Sequence, residues 1–310
     1  MKNLSRLITF IVTFHFASAG VSNAQAPGRR GLGGPQKTAS WQMPPVSGPN
    51  LHYSTFDSKA AGEKVSYLIY LPEAYEKEKS ARFPVIFWLH GIGGSQQGVP
   101  RMCENFTSAI AQGKMPPVIV VFANGMVDGF YNDAINGPRP VETVIIKELI
   151  PHIDATYRTI STRDARMIEG FSMGGYGAGH FGFKYPELFG SISMIDAAVV
   201  DLNVMKTRHS DVFQRIFDNK DEEFIAAHPI ALAEKNATRI KDHTLIRQVV
   251  GALVGPNIAL HEKMTSLGIE HDYFLFPGIG HNLNAIYERL EDKNWAFYAR
   301  AFKAVTKSSN

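Results

Sequence analysis

Apolar positions change their period repeatedly along the chain, and each change marks an element. "LHYSTFDS" (51–58) and "KVSYLIYLP" (64–72) alternate apolar with polar residues, as half-buried antiparallel strands do. "FPVIFWLHG" (83–91) and "PPVIVVFANG" (116–125) are unbroken apolar runs ending at glycine, which predicts parallel strands covered on both faces. "VETVIIKELIPHIDATY" (141–157) has helical spacing through Val144, Ile145, Leu149 and Ile153. "ARMIEGFS", "GSISMIDAA", "LIRQVVGALV" and "HDYFLFPG" read as further strands. "NIALHEKMTSLG" and "NWAFYARAFKAV" read as helices, and a polar stretch over 199–240 carries mixed helical signals. Such alternation predicts an α/β fold, a mainly parallel central sheet with helices on both faces. No internal repeat and no second domain are visible.

The first residues break this pattern. Lys2 and Arg6 precede the apolar "LITFIVTFHFASA", and "NAQA" offers an Ala-x-Ala cleavage site after Ala26. That order predicts a signal peptide over 1–26, too short in its apolar run to span a bilayer, and hence a secreted or periplasmic protein. Residues 27–49, beginning "PGRRGLGGPQKTAS", read as a flexible leader, with ordered structure expected from Asn50 and one domain over 50–310. The formal net charge is +3, and loss of Lys2 and Arg6 with the signal leaves +1, which gives no electrostatic case for nucleic acid. The single cysteine, Cys103, lies in "RMCENFTSAIAQG", where Met102, Phe106 and Ile110 recur at helical spacing, so it is expected to be packed inside. No Cys-x-x-Cys or His-Glu-x-x-His spacing calls for a metal, and no cofactor is expected.

The chemistry concentrates in "RMIEGFSMGGYGAGHFG" (166–182), where six glycines surround one serine, Ser172, at the point where a strand signal gives way to a helix. A Gly-x-Ser-x-Gly turn between strand and helix forces the serine into a strained conformation and projects its hydroxyl. Gly170 and Gly174 lack the Cβ atoms that would collide there, and the helix N-terminus aims free N–H groups at the hydroxyl. In an open parallel sheet such a site lies at the carboxyl ends of the strands. His281, in "FLFPGIGHNL" after the last strand, stands where a base would reach the serine. "LHGIGG" ends an earlier strand and supplies an oxyanion donor, assigned to the Ile92 N–H, with the second from Met173. His90 is expected to shape that loop by bonding to backbone. Phe130 and Tyr131, in "NGMVDGFYNDAINGP", are candidates for a substrate wall or for loop packing.

Across residues 50–305 the chain resembles the esterase D and feruloyl esterase family of α/β-hydrolases. The likeness rests on "VSYLIYLPEAY", "FPVIFWLHGIGGS", "KELIPHIDATYRT", "EGFSMGGYGA", "PELFGSISM" and "LGIEHDYFLFPGIGHN". The resemblance implies an α/β-hydrolase fold and ester hydrolysis through a serine acyl-enzyme, with Ser172, His281 and the two oxyanion donors in place. It fails at the acid. The family's Gly-x-x-Asp arrangement reads "VVGALVGPN" here, with Val254 where the carboxylate would stand. Asp196, closing the strand in "SISMIDAA", is the preferred substitute; Asp201, Asn257 and a weak or lost activity are the alternatives. Together with export, the resemblance implies acetyl or hydroxycinnamoyl (feruloyl) esters on plant cell-wall polysaccharide as substrate. Acyl transfer to a sugar acceptor, or a carbohydrate-binding homologue with an altered triad, are the competing functions.

Overall fold

The computed structural model describes residues 40–307. The signal expected over 1–26 and the start of the expected leader lie outside these residues.

Eight strands form one sheet in the order β1-β2-β4-β3-β5-β6-β7-β8. They are β1 (Leu51–Ser58), β2 (Glu63–Tyr70), β3 (Val85–Leu89), β4 (Ile119–Ala123), β5 (Arg166–Phe171), β6 (Ser191–Ile195), β7 (Leu245–Val250) and β8 (Asp272–Leu275). β1 pairs antiparallel with β2, and β2 with β4; every other neighbour is parallel. All eight coincide with the runs read from the pattern. β2 departs from it in one respect, because its last six residues are buried rather than alternately exposed. Val65, Tyr67 and Ile69 join the core on one face while Leu68 and Tyr70 join the core on the other, so both sides are covered.

Helices α1 (Val99–Ala111), α2 (Met173–Lys184), α3 (Val254–Ser266), α4 (Leu283–Leu290) and α5 (Asp292–Lys307) flank the sheet. The helix predicted over 141–157 runs as Val141–Thr143, a wider π-helical turn Val144–Leu149, and Ile150–Thr156. Pro151 has no N–H to offer the carbonyl of Lys147 and its ring crowds that carbonyl. The wide turn lies immediately before it. The polar stretch after β6 folds as short helices between Leu202 and Ile240. Among the described residues no helix is long and apolar enough to cross a membrane.

Cys103 is fully buried on α1, and desolvation pushes its thiol up to about 12, which makes it a packing group rather than a nucleophile. Ordered contacts begin before Asn50. The side chains of Trp41 and Met43 are buried; the Ser66 N–H donates to the Trp41 carbonyl at 2.8 Å, and the Met43 N–H to Ser66 Oγ at 2.9 Å. An indole and a thioether beside a β2 hydroxyl anchor this part of the expected leader to the sheet.

Candidate active site

Ser172 sits between β5 and α2 with φ +61° and ψ −118°, a backbone that a non-glycine residue rarely adopts. A Cβ at Gly170 would collide with the Gly174 carbonyl, and one at Gly174 with the carbonyl of Leu89 at the end of β3. The two glycines therefore let β5, α2 and β3 converge at one point. The turn is held by its own backbone: the Ser172 N–H donates to the Ile195 carbonyl at 3.0 Å, and the Ala198 N–H to the Ser172 carbonyl at 2.8 Å.

His281 brings its Nε2 to 2.8 Å from Ser172 Oγ and its Nδ1 to 2.6 Å from Asp196 Oδ2. A carboxylate can only accept, so Nδ1 carries the proton and Nε2 is the acceptor for the serine O–H. The imidazole is partly exposed and lies face to face with the Phe171 ring, centroids 4.5 Å apart and planes 27° apart. Phe171 was not singled out from the sequence, because nothing in the spacing says which ring will meet the histidine.

Asp196 is the first residue after β6 and is completely buried. Its oxygens accept the N–H groups of Gly251 (2.9 Å), Leu253 (3.0 Å) and Ala252 (3.1 Å), which lead into the N-terminus of α3. Burial by itself would raise its pKa. The bond from His281 and the three backbone bonds outweigh that cost and hold the carboxyl below the ordinary range of an aspartate. The loop after β7, where the resembling family carries its acid, here supplies the donors for an acid arriving from β6. Asp201 and Asn257 stand elsewhere. Asp201 is exposed and caps the helix Leu202–Arg208 by accepting the Val204 N–H at 2.8 Å. Asn257 is buried and donates to the Ala197 carbonyl (2.8 Å) and the Leu253 carbonyl (2.7 Å), bracing the loops on either side of Asp196.

The loop His90–Gly94 lies against the serine, with a Cβ at Gly91 falling 3.3 Å from that of Ser172. The Gly93 N–H is spent on the Val127 carbonyl at 2.6 Å and the Gly94 N–H on the Gly91 carbonyl at 3.3 Å. For the Ile92 N–H no bond is found among the described residues. Met173, first in α2, has no helical carbonyl one turn earlier to accept its N–H. His90 Nδ1 faces the Gly91 carbonyl at 2.8 Å while its Nε2 accepts the Gly125 N–H at 3.1 Å, so its ring serves the loop's backbone.

Phe130 and Tyr131 require a correction. Both are buried, so neither offers a face to a substrate. Phe130 packs edge-on against Tyr176 of α2, and the Tyr131 hydroxyl donates to the His90 carbonyl at 2.9 Å with its ring against Gly177. Both residues have positive φ, 45° and 54°. They pack the scaffold beneath the loop His90–Gly94.

A buried polar group on β5 and β7 was also missed. Glu169 and Arg247, both with no exposed surface, pair at 2.9 Å under the sheet. Their signal was an acid and a base inside otherwise apolar strands, "RMIEGF" and "LIRQVV".

A cleft of about 980 Å³ lies at the other end of β6, β7 and β8 and is lined by Ser191, Leu245, His261, His271 and Asp272 among others. It holds none of Ser172, Asp196 or His281. Among the described residues no cluster of His, Cys, Asp or Glu is arranged to hold a metal ion.

The chain is similar to known proteins in three ways. The Esterase family, described as "Putative esterase", matches residues 58–280. Over 148 residues the chain is 34% identical to an esterase of Mycobacterium tuberculosis, covering 47% of this chain and 32% of that protein. Over 149 residues it is 34% identical to an endo-1,4-beta-xylanase/feruloyl esterase of Xylanibacter ruminicola, covering 46% of this chain and 20% of that one. The matched part thus spans a third or less of these relatives. Among solved structures, a ferulic acid esterase superposes with a TM-score of 0.69 at 21% identity, covering 81% of this chain and 98% of that one. An S-formylglutathione hydrolase from Agrobacterium tumefaciens gives 0.66 at 19% identity, covering 81% and 95%. These two likenesses are of fold. The sheet order, the strand-to-helix turn and the extent of the family match lead to one placement: the chain belongs to the esterase family of α/β-hydrolases.

Proposed function

We propose that the protein is an exported serine esterase that cleaves carboxylic esters through an acyl-enzyme. Its substrates would be acetyl or hydroxycinnamoyl esters on plant cell-wall polysaccharide. The observation that carries this reading is the unbroken relay from Ser172 Oγ through His281 to the Asp196 carboxylate, at 2.8 and 2.6 Å. In the reaction, His281 Nε2 removes the serine proton as Oγ attacks the acyl carbonyl. The carbonyl oxygen becomes an oxyanion and takes hydrogen bonds from the Ile92 and Met173 N–H groups, each worth about 3–4 kcal/mol of barrier. The imidazolium, stabilised by Asp196, returns the proton to the departing alcohol oxygen. Water, activated by the same nitrogen, then releases the acid. The substrate class is supported by the signal-like start of the chain and by a relative and a structural neighbour whose names include feruloyl or ferulic acid esterase.

The purified protein is expected to hydrolyse p-nitrophenyl acetate and methyl ferulate, and Ser172→Ala to abolish both. No turnover of either ester, or turnover that survives Ser172→Ala, would sink the reading. A product pattern that shifts to acylated sugar when a sugar acceptor is added would move it to acyl transfer. Export is checked by N-terminal sequencing of the protein from its native host, which should begin at Pro27.

A further inference from the structure

His281 stands in a loop without strand or helix, in which Gly278 and Gly280 have φ of +80° and +76° and Ile279 packs against the cluster of Ile195, Val249, Ile286 and Leu290. On its other side the loop leads directly into a helix. Asn282 caps α4 by accepting the Ala285 N–H at 3.2 Å, so the position of the imidazole follows the position of α4. That helix lies on the sheet face made by Phe171, Ile195 and Val249, which its Ile286 and Leu290 contact. Apolar contacts of this kind are non-directional and tolerate sliding. A directed bond does not. The Tyr287 hydroxyl donates to Glu169 Oε1 at 2.9 Å, and Glu169 is on β5, three residues before the serine.

Glu169 is itself immobilised. Arg247 Nη2 holds its Oε2 at 2.9 Å, while Arg247 Nε donates to Ser193 Oγ (3.0 Å) and Nη1 to Asn294 Oδ1 (2.8 Å). Tyr298, on α5, donates to both Glu169 oxygens at 2.9 and 3.1 Å. Glu169, Ser193 and Arg247 are register partners across β5, β6 and β7, so the anchor is fixed to the strands that end in Ser172 and Asp196.

We propose that Tyr287 is a positioning residue for His281, with Glu169 as its anchor: their bond ties the helix carrying the base to the strand carrying the nucleophile. This rests on the serine-esterase reading. A displacement of about 1 Å in a reacting group costs on the order of 100-fold, and loss of one bond allows part of that shift.

The test compares Tyr287→Phe with Tyr298→Phe, which removes a bond to the same carboxylate from a helix that does not carry His281. Tyr287→Phe should lower kcat on p-nitrophenyl acetate about 10-fold with KM unchanged, and should shift or broaden the low-field proton resonance of His281 Nδ1–H. Tyr298→Phe should lower Tm while keeping kcat per folded molecule and that resonance. Equal losses of kcat in the two variants, an unaltered kcat and resonance in Tyr287→Phe, or failure of Tyr287→Phe to fold would each overturn the proposal. If the parent turns over no ester, the serine-esterase reading fails and this one with it. If the parent is active and Tyr287→Phe matches it, only the positioning role is lost.

Discussion

Burying a carboxylate as completely as Asp196 is costly unless donors meet its oxygens, and here four do: one imidazole N–H and three backbone N–H groups. The net effect is a pKa below the ordinary range. A group held low in the folded state adds stability above its unfolded pKa, about 3.9 for aspartate, and that stability is lost as pH falls through the folded value. The Tm advantage of the parent over Asp196→Asn should therefore be full at neutral pH, shrink below about pH 4 and vanish in stronger acid. Calorimetric Tm values across that range check it, and an advantage that grew on acidification would contradict the assignment. In kinetics, Asp196→Asn should cost kcat up to about 10⁴-fold, because an amide no longer enforces the Nδ1–H tautomer. If it behaves like the parent in steady-state assays, another group orients His281. Ser172 and His281 were legible because a turn crowded with glycine and a loop after the last strand are local signals. Asp196 was legible only as one strand-end acid among alternatives. The donors that favour it are backbone N–H groups of Gly251–Leu253, and backbone atoms leave no mark in a sequence.

At the scale of elements, the helix that follows Ser172 is tied to its neighbours through His180. The ring nitrogens of His180 face Glu142 Oε2 at 2.7 Å and the Ala227 carbonyl at 2.7 Å, linking α2 to the helical stretch beginning at Val141 and to the Asp221–Ala227 helix. Burial would raise the pKa of Glu142, but hydrogen bonds from His180, Lys184 and Tyr185 prevail and bring it to about 2. Glu142→Gln leaves those partners facing a neutral amide and should destabilise the fold by about 3 kcal/mol. For a domain of this size that is roughly 6–12 °C in Tm. Denaturant unfolding at pH 7 measures it, and a change under about 0.5 kcal/mol would show the link to be idle. The Trp41 anchor is a second inter-element tie. Trp41→Ala should cost about 3–5 kcal/mol, read by the same unfolding curves, and a leader without fixed contacts would show no effect. Neither tie was legible. The strands were, since their apolar runs are contiguous. Which loop aromatics turn inward, as Phe130 and Tyr131 do, and which leader residue docks depend on surfaces that exist only after the sheet has formed.

For the whole molecule, the question is which end of the sheet works. A hollow of about 980 Å³ lies at the amino ends of β6, β7 and β8, where His261 Nδ1 lies 2.7 Å from His271 Nε2 and its ring stacks on Tyr273. Size alone would favour that hollow as the site. The parallel topology argues the other way: strand ends at the carboxyl edge of β5, β6 and β8 converge on Ser172, Asp196 and His281, and helix N-termini there point their N–H groups at developing negative charge. The large cleft is lined by three imidazoles, those of His243, His261 and His271. Its serine, Ser191, is a buried residue paired within the sheet at the start of β6 rather than one projected by a strand-to-helix turn, and burial lowers the pKa of His271, disfavouring its charged form. His261→Ala should therefore leave kcat/KM on p-nitrophenyl acetate within about twofold of the parent, a barrier change of about 0.4 kcal/mol, while Ser172→Ala removes turnover. Loss of turnover in folded His261→Ala would mean that the amino end contributes to the chemistry, and the assignment of the working edge of the sheet would have to be reversed.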